Sequence, residues 1–180
     1  MKTKNIVIIA FVVVAMIQLV VPAKMIFNYE NILSKGKPYK FQIAPIDPSD
    51  PFRGKYIIIR IKENRFKVNR KDTLKYNEDI YVLTSTDSAN GFVKIKDIVK
   101  EKPQANVDFI KAKAGYFNDS TLLIDYPFER YYLEESTAPK IERLYHDALW
   151  SSTKVSFVIV KVIDGNAVIS DLVISGKSIK

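Results

Sequence analysis

The sequence predicts a mainly β fold: an antiparallel β-sandwich or partly open barrel, behind one N-terminal transmembrane helix and interrupted by one amphipathic helix. Three observations carry this. Ile6 to Ala23 runs eighteen residues without a charge, broken only by Gln18. Beyond residue 38, short β-branched and aromatic runs recur between turn residues, which is how antiparallel sheets read. A single helical pattern, at about 138–150, stands apart from them.

The elements follow in chain order. Residues 1–5 are a basic tail, and residues 6–27 are expected to be a membrane anchor. Eighteen residues of helix rise about 27 Å, close to the roughly 30 Å hydrocarbon core of a bilayer. Met25, Ile26 and Phe27 add a turn if the Lys24 ammonium snorkels to the headgroups. A cleaved signal peptide is the competing reading. Val21-Pro22-Ala23 is a poor small-x-small site, and the apolar run is longer than a signal needs, so an uncleaved anchor is expected. Lys2 and Lys4 favour an inside amino end, although Lys24, Lys35, Lys37 and Lys40 follow the span closely. A single-pass topology with the C-terminal domain outside the cytoplasm is the expectation. Residues 28–38 read as a linker, and 39–180 as a single β-rich domain.

In that domain, Tyr39 to Ala44 alternates at strand period. Tyr56 to Lys62 is β-branched and aromatic, and Glu63-Asn64 is expected to turn it into Arg65 to Val68 as a hairpin partner. Ile80 to Thr84 and Phe92 to Ile95 flank a polar turn over 86–91. Phe109 to Lys113 and Thr121 to Tyr126 are separated by Gly115 and Asn118-Asp119. Val155 to Ile163 and Ala167 to Ile174 close the chain around Asp164-Gly165-Asn166, a strong tight-turn signal. For the helix, Ser136 and Thr137 are good caps and Pro139 suits the first turn. Ile141, Leu144, Tyr145, Ala148 and Leu149 share one face, so it is expected to plug one end or face of the sheet, with Trp150 at its end.

Composition narrows the function. There is no cysteine, which excludes a disulfide framework, a thiolate metal site and a lipobox anchor. The net charge is +8, and its excess is local. Nine basic residues fall between Arg53 and Lys75, against Glu63 and Asp72. They alternate with apolar residues at strand period, as a solvated sheet face does. The sharper reading is a patch for anionic headgroups or an acidic partner. The anchor argues against nucleic acid.

The most distinctive stretch is Ala44 to Tyr56. Pro45, Pro48 and Pro51 fix φ, Asp47 and Asp50 precede prolines where a carboxylate accepts turn N–H groups, and Gly54 leads into the strand at Tyr56. Pro45 to Ile61 resembles the motif region of the GDYXXLXY family of bacterial membrane-anchored proteins. There an acidic, proline-rich loop leads to Gly-Asp-Tyr, then Leu and Tyr at fixed spacing. Gly54 and Tyr56 match, while Lys55 replaces the aspartate and Ile59 and Ile61 replace the leucine and tyrosine. Glu129 to Glu135 is similar to the family's second segment, Arg-Phe-Tyr-x-x-Glu. The resemblance implies a multi-pass membrane protein as partner, names no reaction, and leaves Lys55 unable to fill any role that needs a carboxylate.

A candidate binding cluster follows: Asp47, Asp50, Arg53, Gly54 and Tyr56 from the loop, with Arg130, Tyr132 and Glu134 from the second segment. On a strand, Arg130, Tyr132 and Glu134 share one face. Arg130 is expected to pair Asp47 or Asp50, making either a structural clasp or a groove for a partner segment. Catalytic signals are weak. His146, the one histidine, lies on the charged helix face, and a carboxylate-only zinc site is uncommon. A Ser49–Lys55 dyad lacks any nucleophile context. The expectation is a non-enzymatic binding or accessory domain with no cofactor and no metal. The alternative is a membrane-proximal hydrolase using Asp47, Asp50 and Lys55.

Overall fold

A computed structural model describes residues 2–44, 56–68, 74–104, 107–132 and 155–179. The amphipathic helix expected at 138–150 lies outside these residues, as does His146. Helix α1 (Lys2–Lys35) precedes eleven strands among the described residues. These are β1 (Lys37–Gln42), β2 (Tyr56–Ile58), β3 (Arg65–Lys67), β4 (Asp79–Thr86), β5 (Val93–Val99), β6 (Phe109–Asn118), β7 (Thr121–Asp125), β8 (Arg130–Tyr132), β9 (Phe157–Ile163), β10 (Asn166–Ile174) and β11 (Lys177–Ser178).

At 34 residues, α1 rises about 51 Å. It is long and apolar enough to cross a membrane. Its large apolar side chains from Ile6 to Phe27 are exposed, and no described residue outside the helix covers them. The helix does not stop at Phe27. The stretch expected as a linker is helix to Lys35 and strand from Lys37, with Gly36 alone between them. Packing explains the continuation. The last turns lie against β9 and β10, and the Lys161 ammonium donates to the Leu33 carbonyl, one of the terminal carbonyls that have no intrahelical donor. Gly36 N–H donates to Ile32 O at 2.9 Å. A Cβ on Gly36 would stand 2.4 Å from that oxygen and 2.9 Å from Lys161 Cβ, so only glycine fits the corner.

The strands form a four-stranded sheet in the order β1-β9-β10-β11, a five-stranded sheet in the order β3-β7-β6-β4-β5, and the pair β2-β8. Every ladder within them is antiparallel. Bridges at Lys40–Phe92, Ile43–Ile61 and Ile110–Gly165 join them, and one sheet is barrel-like and nearly closed. Burial alternates along β4 and β9, the period of strands with one face on a core. Phe41, Ile80, Ile110, Leu122, Ile124, Val158, Val160 and Leu172 are among the fully buried side chains. Burying each contributes about 1.5–3 kcal/mol. Phe41 stands edge-on to Tyr126 at 5.6 Å and tilted to Phe128 at 5.3 Å.

The β9–β10 turn is as the sequence expects. Ile163 pairs Asn166 across Asp164 (φ 50°) and Gly165 (φ 80°), the two positive-φ positions of a type I′ hairpin. The expected hairpin between Tyr56–Lys62 and Arg65–Val68 does not form. β2 pairs β8, and β3 pairs β7. Neither Glu63 nor Asn64 has the positive φ that a two-residue turn needs. Instead both are held elsewhere: Tyr126 Oη donates to Glu63 O at 2.9 Å, and Ile124 N–H donates to Asn64 O at 2.8 Å. Gly115, expected to break a strand, sits inside β6 where the register with β7 shifts.

Candidate functional site

The first motif enters the described structure at Tyr56 and pairs at once with the second. In the β2–β8 ladder, Tyr56 faces Tyr132, Ile57 faces Tyr131 and Ile58 faces Arg130. Ile59 N–H then donates to Glu129 O at 2.7 Å. After this the chain changes partner. Ala44 N–H donates to Arg60 O and Lys62 N–H to Gln42 O, at 2.7 and 2.9 Å, so residues 60–62 pair with the end of β1. One extended segment therefore stitches the second motif to the four-stranded sheet.

Strand alternation divides the junction into two faces. Inward, Ile59 is buried and Tyr131 packs half-buried against the core, its hydroxyl donating to Ile179 O at 3.2 Å. Burial raises the Tyr131 phenol above its usual range, with Asp171 and Tyr29 adding to the effect. Outward stand Ile58, Arg130 and Tyr132, the last 68% exposed. Of the candidate cluster, Arg130 and Tyr132 thus share a solvent face of β8, and Tyr56 is the backbone partner of Tyr132. Asp47, Asp50, Arg53, Gly54 and Glu134 lie outside the described residues, as do Ser49, Lys55 and any pairing of Arg130 with the loop.

The sequence marks the second segment from Glu129 onward but not the end of α1, and the two meet. A cleft of about 330 Å³ is lined by Tyr29 of α1 together with Arg130, Tyr131 and Tyr132. A larger groove of about 810 Å³ adjoins it, between α1 on one side and β6, the end of β7 and the start of β10 on the other. Tyr29, one helical turn past Met25, was the available signal, because an exposed tyrosine just beyond an apolar span marks an interface. Glu129 lines that groove. Its carboxyl is raised above the ordinary range, first by partial burial and then by Asp125, with Arg130 opposing. Among the described residues no three His, Cys, Asp or Glu side chains converge to hold a metal ion.

The two motifs joined by this ladder are matched by one family model. That of the GDYXXLXY protein covers residues 18–172. The chain belongs to the GDYXXLXY family. The matched span begins inside α1 and runs into β10, so the GDYXXLXY unit includes the second half of the apolar helix as well as the sheets. No curated protein and no solved structure matches the chain.

Proposed function

We propose that this protein is a membrane-anchored, non-enzymatic binding or accessory protein. Its β domain lies outside the cytoplasm and engages a multi-pass membrane protein through the exposed face of the β2–β8 junction. One observation supports this above others. The ladder that pairs the two family motifs leaves Ile58, Arg130 and Tyr132 outward, and the same segment borders a cleft shared with Tyr29 of α1. A contact surface there sits where the helix meets the domain, within reach of a neighbouring protein in the same bilayer. Arg and Tyr are also the residue types that anchor interfaces most often.

The test is photo-crosslinking in native membranes from a reactive residue placed at Ile58 or at Tyr132. The expected product is one specific multi-pass membrane protein, captured from both positions. Adducts with lipid alone would count against the proposal.

A further inference from the structure

The 810 Å³ groove has the size and make-up of an amphiphile site. Its walls are mostly apolar, with Met25, Tyr29 and Ile32 on the helix side and Ala112, Pro127 and Val168 on the domain side. The volume falls in the roughly 300–1,000 Å³ range of small-molecule sites. Its charges are arranged as two opposite poles. At one, Lys111 and Lys113 both approach Asp79, at 3.2 and 3.5 Å, leaving two ammonium groups to one carboxylate. At the other, Asp125 and Glu129 form no ion pair within 4 Å among the described residues, although Arg130 lies near enough to favour the ionised Glu129. Lys113 lies between the poles, facing Asp79 on β4 and Asp125 on β7 in the two ladders.

Position matters as much as charge, and here the inference rests on the proposed reading that α1 spans a bilayer. With Lys24 at the headgroups, Met25 to Ile32 rises about 10 Å along the helix. The headgroup layer on one side is about 5–7 Å deep. On that reading the Met25 end of the groove lies at or beside that layer, and Met25 itself is exposed.

We propose that the groove holds a membrane lipid with a phosphoethanolamine headgroup, its phosphate at Lys111 and Lys113, its ammonium at Asp125 and Glu129, and its glycerol end against Met25 and Tyr29. An anionic headgroup would satisfy the first pole and be repelled by the second. A trimethylated headgroup carries the same charge but has no N–H to donate to the carboxylates.

The experiment is native mass spectrometry of the delipidated full-length protein in detergent, offered phosphatidylethanolamine, phosphatidylcholine and phosphatidylglycerol with matched chains. Wild type should retain phosphatidylethanolamine about tenfold better than either competitor, about 1.4 kcal/mol. The D125N/E129Q variant should lose its preference over phosphatidylcholine while staying folded, with a melting temperature no lower than that of the wild type. Equal retention of all three lipids, preference for phosphatidylglycerol, or an unchanged preference in the folded double variant would overturn the proposal. If the variant does not fold, the wild-type ranking alone decides. A chain that needs detergent yet shows no preference refutes the lipid site only. A chain that stays soluble without detergent refutes the membrane reading as well.

Discussion

Tyr126 shows how single residues hold this fold. Its ring is buried between Phe41 and Phe128, and its hydroxyl reaches out to the Glu63 carbonyl. Burial pushes the phenol well above its ordinary range, with Glu63 adding to it, so it stays a donor at any working pH. Tyr126→Phe keeps the ring and leaves that carbonyl without its donor. It should cost about 1 kcal/mol in chemical denaturation, since a partly buried acceptor left without its donor carries part of its desolvation penalty. Phe41→Ala removes the ring both aromatics pack on and should cost about 3–5 kcal/mol by the same measurement. Glu129 is the opposite case. Its folded-state proton is held more tightly than in the unfolded chain, so its ionised form costs stability. That cost is complete above the folded titration point and vanishes as pH falls below about 4.3, the ordinary glutamate value. Glu129→Gln should therefore raise stability slightly at pH 7, by no more than about 0.5 kcal/mol for so exposed a group, seen as a small rise in melting temperature, and leave it unchanged at pH 3. A loss of stability at pH 7 would show that the carboxylate has a stabilising partner instead.

Between helix and sheet, Gly36 is the joint. Gly36→Ala forces a methyl group against the Ile32 carbonyl and the Lys161 stem. It should destabilise the chain by about 1–3 kcal/mol and open the Lys35–Lys37 bonds to limited proteolysis. Intact protection with wild-type stability would mean that helix and domain are only loosely joined. At this scale the sequence was most legible where period alone decides. The alternation in Ile80 to Thr84 and Val155 to Ile163 marks one buried face, and Asp164-Gly165 marks a turn by positive φ. Pairing was not legible. Arg65 to Lys67 reads as a strand, but its partner Thr121 to Leu123 is more than fifty residues away, and periodicity reports a face rather than a neighbour. The helical run over 28–35 has no strong pattern of its own and is set by its packing on β9 and β10. β11 is two residues long, too short for period to mark it, and its turn rests on the positive φ of Ser175 and Gly176.

At the scale of the whole molecule, an apolar helix runs without interruption into a β head through a single-glycine corner, and the two family motifs meet on one ladder beside it. The mainly β class, the helix and the family were all legible, because composition, period and two short motifs carry them. The candidate site was legible in part. Strand alternation puts Arg130 and Tyr132 on one face of β8, but their register with Tyr56 depends on long-range pairing. The groove at Tyr29 depends on where α1 docks, which no local pattern encodes. The account therefore depends most on where α1 resides. Alkaline extraction of membranes from cells making the full-length chain tests this directly. The account predicts that the protein stays in the membrane pellet at pH 11 and is released only by detergent. Recovery of the unprocessed chain in the alkaline supernatant would contradict it.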